Sequence, residues 1–385
     1  MPAVPGAATD IVIVGGGVIG ASIAYHLTAR GARDVLVLER DTLGSGSTSK
    51  NAGGIRQQFS TEINVRLSQL SVPRYERFAE EFGIDIQFQQ VGYLFLITEE
   101  KDVAPFQRSL ALWERLGVPA RRVERDEIRA IFPELVVDDV IFGTFCRRDG
   151  HADPTSIING FATRARAAGA RFREHAEVTG VDVEGGRVTA VRARDERIPC
   201  GTVIDAAGAW APKLAAMAGV DVPIRPLRRQ IFVTDGAPGL DHPIPLTIEF
   251  ASTLYMHRES GGILMGMADP SDAPAYRETL NWDFLAAVVE RAIARLPLLE
   301  RTSVRSGWAG LYEDTPDKHP ILGPADAVEG FIVAAGFSGH GLMHAPAAGQ
   351  LVAELVCGAT PSLDISPLRL ARFREGGAIT EHNVI

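Results

Sequence analysis

Gly15, Gly17 and Gly20 stand in G-x-G-x-x-G spacing directly behind an apolar run, Ile11-Val-Ile-Val14. In this pattern the first glycine makes a tight turn and the second lets backbone approach a pyrophosphate. The third lets a following helix pack closely on the strand. Val18 and Ile19 open that helix, whose N-terminus carries partial positive charge and free N–H groups suited to phosphate. Glu39 closes a second apolar run, Val35-Leu-Val-Leu38, nineteen residues after Gly20. An acid there would accept a pair of ribose hydroxyls. The chemistry implied is dinucleotide binding.

Further candidates follow in the chain. Arg40 opens a stretch rich in Gly, Ser and Thr that runs to Arg56 and contains Ser47, Thr48, Lys50, Asn51, Ala52, Gly53 and Gly54. Hydroxyls and exposed backbone of this kind suit a phosphate or a planar ring, though a plain surface loop has the same composition. Near the C-terminus another buried run, Ile332 to Ala335, leads into Gly336, Ser338, Gly339, His340 and Gly341, with Leu342 and Met343 opening a helix. Two such turns, one at each end of the chain, imply a ligand long enough to need both.

These residues need a scaffold. Ile19 to Arg30 has helical spacing and stops at Gly31, and Val35 to Leu38 reads as a buried strand. Helical spacing from Ile63 to Phe82 is crossed by Pro73, which should break or kink it. Val91 to Ile97 reads as a strand and Val103 to Leu116 as a helix. Asp153 and Pro154 supply an N-cap and first position for the next helix, which leaves His151 as a loop or packing residue. A meander over Val178 to Ala193 turns at Gly185-Gly186. Thr202 to Trp210, containing Ala207 and Gly208, repeats strand, glycine and helix, a return to the first sheet. Ile231 to Thr234, Thr253 to His257 and Ile263 to Met267 read as antiparallel strands. A helix follows from Trp282 to Leu296, and a closing helix spans Met343 to Cys357. The expected fold class is α/β: a Rossmann-type dinucleotide-binding domain (1–88, 150–226 and 304–385) interleaved with an antiparallel-sheet substrate domain (89–149 and 227–303).

Composition bounds the answer. The 385 residues are 46% hydrophobic and 23% charged, with a formal charge of -9. This acidic balance argues against nucleic acid or an anionic membrane as the main partner. No apolar run is long enough to span a bilayer, and residues 1–9 lack the basic and apolar regions of an export signal. Cys146, Cys200 and Cys357 are far apart and odd in number. They read as buried thiols of a cytoplasmic protein, with no metal or redox pair.

Five segments together resemble the glycine-oxidase/D-amino-acid-oxidase superfamily of FAD enzymes, most of all sarcosine oxidase and the β subunit of dye-linked proline dehydrogenase. They are Gly15-x-Gly17-x-x-Gly20, Gly53 to Phe59, Ile204 to Trp210, Trp308 to Asp317 and Ala335 to Met343. The resemblance implies FAD, its ADP half on Gly15 to Gly20 and Glu39. Lys50 to Gly54 and Gly336 to Met343 would reach the ring, and Val178 would touch adenine through its backbone. Ala207, Gly208, Trp210 and Gly310 complete the implied cofactor contacts. The implied reaction removes a hydride from the carbon beside an amine nitrogen, giving an imine that water hydrolyses.

The same likeness singles out Arg56 for a substrate carboxylate and Tyr255 for the substrate side. Met343 stands where sarcosine oxidase has a second, lysine partner. Tyr312 replaces the arginine of the D-amino-acid oxidases, and Arg228 or Arg229 would supply a substitute charge or form structural ion pairs. His340 either shapes its turn or acts as catalytic base, while His344 and His257 are candidates for the cavity wall. Gly310 and Lys50 replace residues that link flavin covalently, so non-covalent FAD is expected. Leu264 replaces an oxygen-activating lysine, which favours a redox carrier over oxygen as acceptor. The leading expectation is an amino-acid oxidase or dehydrogenase acting on a secondary or N-methyl amine such as sarcosine or proline. A 2-hydroxy-acid dehydrogenase and an FAD-carrying subunit of a hetero-oligomer are the alternatives, and homo-oligomers also remain open.

Overall fold

Four apolar residues in a row at Ile11–Val14 leave the strand no polar face, so it must be covered on both sides, as in a parallel sheet. In the computed structural model, which describes residues 9–384, all four are buried at the centre of a six-stranded sheet. Residues 1–8, read above for an export signal, lie outside the described residues. Val35–Leu38 and Thr202–Asp205 flank the first strand in parallel. Arg171–Arg173 and Phe331–Ala335 extend the sheet in parallel, and Ile321–Pro324 closes one edge antiparallel. The return of the Thr202 strand to the first sheet is as the sequence suggests.

Helices Val18–Ala29, Pro154–Ala167 and Gly341–Val356 pack together on one face of this sheet. Asp153 caps the second through the Thr155 and Ser156 N–H groups, with Pro154 at its first position. On the other face lie the meander Val178–Glu184, Arg187–Ala193 and Glu196–Pro199 and the helix Ala211–Met217. The helix Glu62–Glu76 runs through Pro73 and yields only at Arg77, before Phe78–Phe82. Buried Val72 and Tyr75 on either side of the proline hold the helix against the core.

The second sheet has eight strands. In spatial order they are Val304–Asp314, Arg225–Thr234, Gly262–Met267, Leu254–Glu259, Leu246–Glu249, Tyr93–Ile97, Phe142–Cys146 and Ala120–Val123. All pairs are antiparallel except Leu246–Glu249 with Tyr93–Ile97, so the sheet is mixed rather than antiparallel throughout. Val304–Asp314, placed with the FAD-binding segments in the sequence reading, is an edge strand here. The helix Trp282–Arg295 covers the far face over a core that includes Phe232, Met256 and Met265.

Cys146 and Cys200 are buried, but Cys357 is exposed just beyond the closing helix, and all three are free. No helix among the described residues is long and apolar enough to cross a membrane.

Candidate active site

The first turn behaves as its spacing demands. Gly15 has φ +110°, and a Cβ there would lie 2.3 Å from the Ala206 carbonyl oxygen. A Cβ on Gly17 would meet the Thr48 hydroxyl at 3.2 Å. The helix beginning at Val18 has no side-chain cap on Gly17, although the Val18 N–H donates to Thr48 Oγ1 at 3.0 Å. Its remaining first-turn N–H groups can serve an anion. Glu39 sits at the end of the second strand, its Oε2 accepting the Gly16 N–H at 2.7 Å and its Oε1 the Asp41 N–H at 2.9 Å. These bonds orient the carboxylate and leave lone pairs for a sugar.

One cavity brings the two glycine turns together with a face of the eight-stranded sheet. Of the residues singled out in the sequence, Gly15, Gly17, Val18, Ile19, Glu39, Arg40, Ser47, Thr48, Lys50, Asn51, Ala52 and Gly54 line it. So do Val178, Ala207, Gly208, Trp210, Gly310, Ser338, Gly339, His340, Gly341, Leu342 and Met343, together with Arg56 and Tyr255. Arg40 sits over Trp210, with 3.7 Å between its guanidinium carbon and the ring centroid. The closing helix also starts in the cavity wall without a side-chain cap, so a second positive helix end faces inward.

Three of the expected cofactor contacts are absent from the wall. Gly20 packs against the first turn, where a Cβ would lie 2.0 Å from the Gly15 carbonyl oxygen. Gly53, at φ +71°, crosses Ala152 backbone, with 2.3 Å from a Cβ to its oxygen. Gly336 has φ +82° and gives its N–H to Glu313 Oε2 at 2.8 Å. All three shape the cradle from behind.

Strand alternation sorts the other end of the cavity. Arg229 and Ile231 face in, while Gln230 and Phe232 face out. Arg228 also points away and is bound by Asp272 at 2.8 and 2.5 Å, a structural ion pair. Arg229 does not form one: its NH1 donates only to the Arg228 carbonyl at 3.0 Å, and its buried Nε has no partner. Its guanidinium carbon lies 4.9 Å from the centroid of the Tyr312 ring. Tyr93, Tyr255, Tyr312, Leu246 and Ile248 complete this end. Burial raises the Tyr255 and Tyr312 phenols above their ordinary value, and Arg229 opposes the shift. Both hydroxyls therefore stay protonated at neutral pH.

Arg56 is buried at the same end, but its partners are main chain. NH1 donates to the Gln58 carbonyl and NH2 to the Asn383 carbonyl, each at 2.5 Å, and the guanidinium carbon lies 3.9 Å from the Phe59 ring centroid. Burial pulls its pKa below the ordinary range. His340 is buried with both ring nitrogens unpartnered. Burial, then the Arg56 charge, holds it well below the ordinary 6.5, so it is a poor base, and its turn-shaping role is the better reading. His344 bonds Ser68 at 3.0 Å, and His257 stacks on His151 with centroids 4.2 Å apart. Neither is in the cavity wall.

One further expectation needs correction. Leu264 is buried in the core and is not a wall residue, so it carries no inference about oxygen. Lys50 is a wall residue; its Nζ pairs with Glu278 at 2.7 Å and its Cβ covers Gly310. Glu313, which the sequence reading did not single out, also lines the cavity, and burial raises its carboxyl to about 7.

With this geometry in view, the comparisons are specific. The pattern of the FAD dependent oxidoreductase family DAO matches residues 10–355. The chain belongs to this family. It is an FAD-dependent oxidoreductase, and the uncapped helix ends and glycine turns that a Cβ would fill fit the cofactor. It is 32% identical to FAD-dependent oxidoreductase domain-containing protein 1 of Xenopus laevis, covering 98% of this chain and 85% of that protein. It is 29% identical to mitochondrial sarcosine dehydrogenase of Mus musculus over 97% of this chain but only 42% of the longer relative. Its fold superposes on L-proline dehydrogenase from P. horikoshii with a TM-score of 0.90 and 35% identity, covering 97% and 99% of the two chains.

Proposed function

We propose that this oxidoreductase acts on the C–N bond of a small amino acid with a secondary or N-methyl amine, such as sarcosine or proline. The observation that carries the reading is the composition of one cavity: a glycine cradle at one end, two arginines and three tyrosines at the other. Neither arginine has a carboxylate within ion-pair distance among the described residues. A free carboxylate on the substrate complements that end.

When bound, FAD supplies the acceptor for a hydride from the carbon beside nitrogen. The chain's own contribution is placement. The arginine end fixes the carboxylate, while Ile231, Leu246 and Ile248 give the amine an apolar wall that favours its uncharged form. His340, held neutral and poorly basic, supplies no strong base. An amine that binds uncharged needs none, whereas a hydroxy acid must lose its hydroxyl proton. Apart from Arg56 as carboxylate partner and His340 as base, the residue roles outlined from the sequence belong to this proposal, with Tyr255 and Met343 on the substrate side and FAD held without a covalent bond. So does the division into an FAD-binding part on the parallel sheet and a substrate part on the mixed sheet. Oxygen or a redox carrier then takes the electrons. Three free thiols suit the cytoplasm.

Turnover with an artificial electron-acceptor dye tests this, using sarcosine, L- and D-proline, glycine, D-alanine and 2-hydroxyglutarate, with the oxidised product identified. A product from sarcosine or proline is expected. Turnover of 2-hydroxyglutarate alone would give the site to hydroxy acids, and no turnover of any would overturn the amino-acid reading.

A further inference from the structure

We infer that Arg229, rather than Arg56, is the residue that binds the substrate carboxylate; the inference rests on the amino-acid reading above. The two guanidiniums differ in what already occupies them. Arg56 is clamped by the Gln58 and Asn383 carbonyls and packed on Phe59, so two of its three nitrogens are committed to main chain. Arg229 has one backbone bond and a buried, unpartnered Nε.

Asp272 holds Arg228 on the opposite face of the strand, and Glu278 holds Lys50. Arg229 stands opposite Gly310 on the neighbouring strand, where the absence of a side chain admits the Lys50 Cβ rather than a group that could pair with the guanidinium. The Arg229 guanidinium carbon lies over the ring of Tyr312, two residues along that strand. An unpaired, partly desolvated guanidinium on a rigid strand is preorganised to take both oxygens of a carboxylate. Arg56 then contributes its charge to the pocket and holds the Gln58 and Asn383 segments together.

The test uses the FAD-loaded protein and pyrrole-2-carboxylate, a planar, non-oxidisable carboxylate, with pyrrole-2-carboxamide as its uncharged counterpart. Binding is read from the perturbed visible spectrum of the flavin. Arg229→Met should weaken the carboxylate roughly thirtyfold or more and leave the carboxamide within about threefold. Arg229→Lys should recover part of the loss, and unchanged flavin content would verify that both variants are folded. Equal carboxylate affinity in the parent and Arg229→Met would overturn the assignment. A parent protein that fails to prefer the carboxylate would overturn the amino-acid reading, and the assignment with it.

Discussion

Substituting alanine for Gly20 isolates the close packing on which the cofactor cradle depends. Gly20 has an ordinary helical backbone, so a side chain brings no strain in φ; only space is at issue. The added methyl would lie 2.0 Å from the Gly15 carbonyl oxygen and 3.3 Å from Ile13 Cγ2. Contacts under 3.0 Å essentially do not occur, so helix and turn must separate by about 1 Å. Overpacking of this kind costs roughly 1–3 kcal/mol, offset by the ~1 kcal/mol that alanine gains over glycine in a helix. The larger effect falls on FAD, because the helix N-terminus moves relative to the Gly15 turn. Loss of one charge-assisted hydrogen bond, about 1.5–3 kcal/mol, corresponds to roughly a ten- to hundredfold rise in Kd. Apo-protein titrated with FAD and followed by flavin fluorescence gives that constant, and thermal unfolding gives the stability. Gly201→Ala, exposed and with nothing within 4 Å of its Cβ, is the control and should change neither. A Gly20→Ala protein that binds FAD as tightly as the parent would refute the packing argument.

Acid stability and one cavity-wall acid give further expectations. Burial lowers His26 to about 4 and His151 and His344 to about 3 in the folded protein, against 6.5 ordinarily. The unfolded chain therefore takes these protons first, so stability is full above pH 6.5 and falls steadily toward pH 3. Near pH 5, His344→Gln should reduce the slope of unfolding free energy against pH by about 1.4 kcal/mol per pH unit, measured by urea melts. An unchanged slope would mean that His344 is accessible to protons in the native state. Glu313 shifts the other way, to about 7, so its contribution is full below pH 4.5 and lost as pH rises through 7. Glu313→Gln should raise stability at pH 8 by up to about 3 kcal/mol while leaving pH 4 unchanged. A gain at both pH values, or at neither, would contradict buried desolvation as the cause.

Local signals made much of the cradle legible. Gly15 and Gly17, the acid at Glu39 and the Asp153-Pro154 helix start all act within a few residues or one βαβ unit, and each sits where its spacing indicates. Sequence cannot separate Gly53 and Gly336 from their wall-lining neighbours, because what they avoid is Ala152 backbone in one case and Thr315 and Ile224 side chains in the other. Arg228 and Arg229 look equivalent until alternation is set by pairing with the Val304–Asp314 strand, and until Asp272 is known to lie on one side. Arg56 misleads for a similar reason: one of its partners, the Asn383 carbonyl, is 327 residues away. The parallel junction that brings Tyr93 beside Leu246 likewise has no local signature, since three of the second sheet's eight strands lie between the paired segments in the chain.

The most direct single measurement mixes the FAD-loaded protein with sarcosine or L-proline in the absence of oxygen and follows the visible flavin absorbance. Full bleaching by one of these amines, at a rate that saturates with its concentration, is the predicted result. A flavin that stays oxidised with every amino acid, but is bleached by a 2-hydroxy acid or only by a chemical reductant, would contradict C–N oxidation in this cavity.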